Sequence, residues 1–175
     1  MPDFSLYKKE LTVGAESIDI QGHVNNREYM RWMEEAATEH ATTFGWDWKT
    51  LVSMKRSWVA REHWIEYLKP CFEGDRLTVF TWLQAVRGPV CLRRYAVKKG
   101  EELAAIGATE WVFIDLERGR PVAIASPDKE RFAALAYCAS EVPFFRKSGR
   151  FFSSILSRFC TMCPIENSQP HHCWL

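Results

Sequence analysis

No stretch of this 175-residue chain approaches the roughly 18 uninterrupted apolar residues of a membrane-spanning helix, so no transmembrane segment is expected. Met1 to Glu10 carries Asp3, Lys8, Lys9 and Glu10 and lacks the apolar stretch of a signal peptide, which leads to the expectation of a soluble, cytoplasmic protein. Neither sign of charge dominates. The 23 basic and 22 acidic side chains leave a net charge of +1, from which no general attraction to nucleic acid or acidic membranes follows. Nor is there a Gly-x-Ser-x-Gly elbow, a phosphate-cradling glycine loop or a dinucleotide fingerprint, so three common chemistries are without their motifs.

What is present is ordinary globular material, 47% apolar and 26% charged, long enough for one domain with a real core and short for two. Aromatic residues reach 14%, including eight Trp, which is more apolar surface than a small monomer readily covers. Of the six cysteines, Cys71 and Cys91 lie in the body and Cys138, Cys160, Cys163 and Cys173 near the end. Without a secretion signal all six read as thiols.

Phe4 to Val13 alternates as a first strand, and the polar, glycine-punctuated Gly14 to Asn25 reads as a loop. The clearest helix runs from Asn26 to Phe44, with Tyr29, Met33, Ala36, Ala37, His40 and Phe44 on one apolar face. Asn25 suits its N-cap, Glu28 three residues on completes an Asn version of the capping box, and Gly45 supplies the stop. Trp46 to Met54 is consistent with a short second helix.

From about Arg56 the period changes. Ser57 to Leu68, Arg76 to Val86, Val90 to Lys98 and Leu103 to Asp115 read as strands, separated by turn signals at Pro70–Gly74–Asp75, Gly88–Pro89 and Lys99–Gly100. Their short links predict an antiparallel meander of neighbours. Pro121 to Ala125 suits one last short strand and Asp128 to Ala136 a helical turn. The expected fold class is α+β, one long helix wrapped by a curved antiparallel sheet of five to six strands. Leu77, Val79 and Leu83 fall on one strand face and Phe80, Trp82 and Val86 on the other. One helix cannot cover both, so a homodimer or homotetramer is expected.

The stretch that carries chemistry is Asp19-Ile20-Gln21-Gly22-His23-Val24-Asn25-Asn26, followed by Tyr29 and Trp32. A carboxylate, a glycine turn and a capped helix start together suit acyl transfer. The helix N-terminus offers unpaired N–H groups and a positive dipole end for a carbonyl oxygen that gains negative charge. This Asp-x-x-Gly-His-Val-Asn-Asn-x-x-Tyr run resembles the signature of the 4-hydroxybenzoyl-CoA thioesterase-like branch of the hotdog-fold superfamily. Tyr67-Leu68-Lys69-Pro70, Gly74-Asp75-Arg76-Leu77 and Gly107 to Asp115 resemble further parts of it, so the resemblance covers about residues 4–136. The plant acyl-carrier-protein thioesterases are similar, with Asn where this chain has Gln21.

The resemblance implies a thioesterase acting on an acyl-CoA or acyl-carrier-protein substrate, with no cofactor and no metal. Asp19 matches the catalytic carboxylate, as nucleophile or as general base, and the backbone N–H of Asn26 matches the group that polarises the carbonyl. His23 is placed to orient Asp19 or water. Asn25, Tyr29, Trp32, Met33 and Trp64 are the expected substrate-binding residues, the last four lining an acyl tunnel at a dimer interface. A non-catalytic acyl-thioester-binding module and a hotdog hydratase or dehydratase are the rival readings. The hydratase reading is the weaker, because its sequence patterns are absent.

Other features read as structure. His40 suits a core histidine, and His63 a strand surface. Arg56, Arg61, Arg93 and Arg94 suit phosphate chemically, but each singly reads as part of a solvated strand face. Residues 1–136 form the expected domain. Residues 137–175 read as a disordered or loosely packed extension, whose Cys160-x-x-Cys163 and His171-His172-Cys173 are spaced unlike a zinc finger.

Overall fold

The computed structural model describes residues 6–125 and Asp128. The expected helical turn after Asp128 and the whole 137–175 extension therefore lie outside the described residues. In chain order the elements are β1 (Leu6–Thr12), a 3₁₀ turn (Ala15–Ser17), α1 (Asn26–Thr43), α2 (Trp48–Ser53), β2 (Arg56–Tyr67), β3 (Arg76–Arg87), β4 (Val90–Lys99), β5 (Glu102–Asp115) and β6 (Arg120–Pro121). The last strand is shorter and earlier than Pro121 to Ala125. Beyond it Val122 and Ile124 pack into the core instead.

All pairings are antiparallel, in the order β1-β3-β4-β5-β2, with β6 beside β5. The meander holds for β3, β4 and β5, whose tight links leave no alternative. It fails for β2, which pairs with β5 at the far edge rather than with β3. Three strand spacings, about 14 Å, separate β2 from β3 in that order. The linker 68–75 is long enough to cross that gap, where a two-residue turn would not be.

The crossover is also built into the fold. Its Cys71 carbonyl accepts the Val24 N–H at 2.8 Å, while Val13 and Gly74–Asp75 exchange backbone bonds at 2.9 Å. The segment thus forms the platform beneath the loop that precedes α1.

One face of α1 (Tyr29, Trp32, Met33, Ala36, Ala37) packs with Val13, Val24, Leu77, Val79, Tyr95, Val97 and Ala105. Ala36 has no exposed surface, so the helix backbone lies close to the sheet. Gly107 allows a second close approach, since a Cβ there would stand 2.9 Å from the Met33 sulfur. A second cluster of Trp46, Leu83, Cys91, Phe113 and Ile124 lies toward the helix C-terminus, with Trp58 and Val86 against it. Val86 and Leu83 therefore share a face, contrary to simple alternation, because the register shift between Leu83 and Ala85 inserts one residue.

Among the described residues no helix is long and apolar enough to cross a membrane. Cys71 and Cys91 are buried free thiols. Arg93 and Arg94, read above as solvated, are only 4% and 7% exposed. Arg56 and Arg61 pair with Asp115 and Glu110. His40 is buried as expected, stacked on Tyr7 and tilted against Phe44, with Arg93 Nη1 2.8 Å from its Nδ1.

Candidate active site

The loop between β1 and α1 is zipped shut by its own backbone. Ile18 bridges Val24, the Asp19 N–H donates to the His23 carbonyl at 2.9 Å, and the Asn25 N–H donates to the Ser17 carbonyl at 2.9 Å. Residues 17–19 are thereby tied to residues 23–25, next to the first turn of α1. The tip is an Asx turn: Asp19 Oδ1 accepts the Gln21 N–H at 2.8 Å and the Asp19 carbonyl accepts the Gly22 N–H at 3.0 Å. Gly22 has φ +80°, a conformation that costs other residues energy.

Asp19 is part-buried, with its second carboxylate oxygen 3.7 Å from His23 Nδ1. His23 Nε2 lies 2.9 Å from Gln21 Oε1, so Gln21 braces the imidazole that faces Asp19. Sequence reasoning left Gln21 without a role. Its contact is a short-range one, i to i+2, within the loop itself.

At the helix start the orphan amides are nearly all spoken for. Asn25 caps as expected, its Oδ1 accepting the Arg27 N–H at 3.1 Å and its carbonyl the Glu28 N–H at 2.9 Å. The Asn26 N–H has no acceptor among the described residues, and Asn26 is exposed. The second half of the capping box does not form. Asn25 N–H goes to Ser17, and Glu28 turns sideways to Arg31 (2.7 and 2.9 Å) and to the buried Ser17 hydroxyl (3.4 Å). Burial alone would raise the Glu28 carboxyl; Arg31, Ser17 and Arg27 together hold it below its ordinary 4.5.

Tyr67, at the end of β2, donates its hydroxyl to the Asn26 carbonyl at 3.2 Å and packs edge-on against Tyr29. It pins the residue that carries the open amide. No local pattern marks this role of Tyr67, because nothing in the sequence links the end of β2 to the start of α1.

The other expected binding residues fall in two places. Tyr29, Trp32 and Met33 are each 3% exposed and form the core behind the loop. Strand alternation turns Trp64, paired with Ala108, to the face opposite His63 and Ile65, away from α1. Among the described residues no cluster of His, Cys, Asp and Glu is arranged to hold a metal ion.

Residues 13–132 match the family model of the Thioesterase-like superfamily. No curated protein matches the chain. Solved structures do. A probable thioesterase from Bartonella henselae is 21% identical, with a TM-score of 0.65 over 69% of this chain and 99% of that one. The DHNA-CoA thioesterase of Staphylococcus aureus is 19% identical, with a TM-score of 0.68 over 74% and 89%. A hypothetical Staphylococcus aureus protein in complex with CoA is 19% identical, with a TM-score of 0.70 over 75% and 84%. With the family model spanning the loop, α1 and every strand after β1, the chain belongs to the Thioesterase-like superfamily and has its hotdog fold.

Proposed function

We propose that the protein hydrolyses an acyl thioester of coenzyme A or acyl carrier protein, with Asp19 as its catalytic carboxylate. The observation that carries the reading is the open Asn26 amide at the N-terminus of α1, directly after a loop whose backbone bonds tie Asp19 to His23 and Ser17 to Asn25. The family match and the CoA-bound relative support the substrate class.

The thioester carbonyl oxygen accepts the Asn26 N–H, whose strength grows as the carbon becomes tetrahedral and the oxygen negative. One such donor is typically worth on the order of 3 kcal/mol of barrier. Asp19 then acts in one of two ways. As general base it takes a proton from water that attacks the carbon; as nucleophile it forms a mixed anhydride that water cleaves. His23, braced by Gln21, orients the carboxylate or the water. The leaving thiolate needs little acid assistance, because thiols are acidic compared with alcohols, with pKa values of about 8–9.

An oxyanion site works best with water excluded, and Asn26 is exposed in the single chain. A second copy covering it, as a homodimer or within a homotetramer, completes the reading.

The test is thiol release from short, long and aromatic acyl-CoAs and from acyl-carrier-protein thioesters, by wild type and Asp19→Asn together. Release by wild type, at least a hundredfold reduced in an Asp19→Asn protein with unchanged melting, is expected. Equal release by both would remove Asp19 from the mechanism. Binding without release by either would make the protein a non-catalytic acyl-thioester module.

A further inference from the structure

Strand alternation gives the sheet a second face, turned away from α1. The register lays this outer face out in rows: Leu6, Trp82, Arg94, Ala108 and Trp64 in one, and Lys8, Phe80, Ala96, Ile106 and Glu66 in the next. Ala96 stands between Tyr95 and Val97, and Ile106 between Ala105 and Gly107. Those four flanking residues meet α1, so Ala96 and Ile106 point the opposite way.

The outer face is nevertheless buried. Ala96 and Ile106 have no exposed surface, Trp82 keeps 1% and Arg94 7%. Small side chains can hide beneath their neighbours, but Trp82 cannot. A tryptophan stands out from its sheet, and the flanking Leu6 and Arg94 screen only its sides. Burial of both Trp82 and Arg94 requires atoms above them.

No element among the described residues supplies those atoms. α1 packs on β3, β1 and β4 from the inner side, and α2 sits against β2 with Leu51 in the same inner cluster as Trp58. β6 only extends the sheet beside β5. The cover therefore comes from the rest of the chain. Five residues precede Leu6, too few to roof three strands, whereas 50 follow Ala125.

The exit of the chain leads the same way. Ile124 is buried in one cluster with Leu83 and Cys91, and its N–H donates to the Gly88 carbonyl in the β3–β4 turn at 3.4 Å. Asp128, four residues on, is already helical and half-buried. From that turn Trp82 and Arg94 each lie six residues along their strands, about 20 Å away. Residues 128–139 as a helix would span about 18 Å. Phe132, Leu135, Ala136 and Ala139 recur there at three- and four-residue steps, which makes one apolar side.

We propose that residues 126–175 fold back across the outer face of the sheet and seal it, led by a helix over 128–139 whose apolar side is turned to Trp82. The family match stops at residue 132, so most of this cover is the chain's own addition to the fold. Bare apolar sheet faces stack on one another about 10 Å apart. A face roofed by its own chain cannot, which leaves the β2 edge, and not this face, to a second copy. This holds whether or not the chain hydrolyses thioesters.

The test uses the full chain. Phe80, half-buried on the outer face, is replaced by p-benzoylphenylalanine, and a mixture of ¹⁵N-labelled and unlabelled protein is irradiated, digested and mapped by mass spectrometry. Crosslinks within one chain to peptides of 126–175 are expected. Crosslinks that join two chains, or none that reach 126–175, overturn the proposal. Trypsin supplies an independent reading, because six Lys and Arg residues lie between 129 and 158. Cleavage there is expected to be at least tenfold slower in the full chain than in a synthetic 126–175 peptide. Ala108→Glu, a charge in the Trp82 row, should restore at least tenfold faster cleavage with unchanged far-ultraviolet dichroism. A tail cut as fast as the free peptide in wild type, or a cutting rate unmoved by a folded Ala108→Glu, overturns the proposal as well.

Discussion

At the scale of single residues, Glu28 links the chemistry to the fold. It sits in the first turn of α1, where a carboxylate is favoured by the helix dipole, and it reaches both Arg31 and Ser17 at the root of the Asp19 loop. Its carboxyl is depressed in the folded state, so its contribution to stability is full above the unfolded value near 4.5 and is lost as pH falls through the lower folded value. Glu28→Gln is therefore expected to melt below wild type at pH 7 and to converge with it in acid. Melting curves from pH 7 down to pH 3 check this, and two parallel curves would show that the carboxylate does not hold the loop.

The same residue marks the limit of legibility. The Asn25 cap and the helix start at Asn26 could be read because a capped helix start is a local pattern. Glu28 looked like half of a capping box, yet its partner Ser17 lies eleven residues back, beyond a loop whose closure local spacing does not reveal. His63 hydrogen-bonds Thr109 and pairs with Glu34 across three elements, so no local pattern joins them.

At the scale of elements, the strands between tight turns were legible almost to the residue, because Gly88–Pro89 and Lys99–Gly100 permit only hairpins. The link 68–75 carries similar turn residues but spans two strands, a difference set by where β2 finds a partner rather than by its own composition. Bulges are similarly silent: the extra residue between Leu83 and Ala85 changes which side chains share the core without leaving a mark in the alternation.

The helix is different, since its small residues announce its close approach. Ala36 lies wholly within the core beside Leu77, Val79 and Val97. Ala36→Leu adds three carbons where packing leaves no room, and a cost of about 1–3 kcal/mol is expected from such overpacking. Because α1 carries the Asn26 amide, the displacement should also lower thiol release. Denaturant melts together with turnover check both effects, and an unperturbed melt would mean that α1 does not sit as close to the sheet as described.

At the scale of the whole molecule, the exposed Asn26 amide stands beside the end of β2, the last strand in the sheet order. β2 pairs with β5 along its length, and no described strand pairs with its other edge over Arg56–Tyr67. Long unpaired edges invite association. Around it Val59, Trp48 and Val52 are exposed, and Ile20 beside Asp19 is wholly so. A second copy related by a two-fold axis would meet these features with the same features, an isologous contact that closes on itself. Such a contact would bury the edge and shield Asn26 from water together, so assembly and activity should fall together. Sedimentation is expected to give a multiple of 20.4 kDa for wild type. Val59→Glu, a charge placed on that edge, should shift the protein toward monomer and lower thiol release in proportion. A fully active monomer at every concentration would show instead that one chain shields its own site.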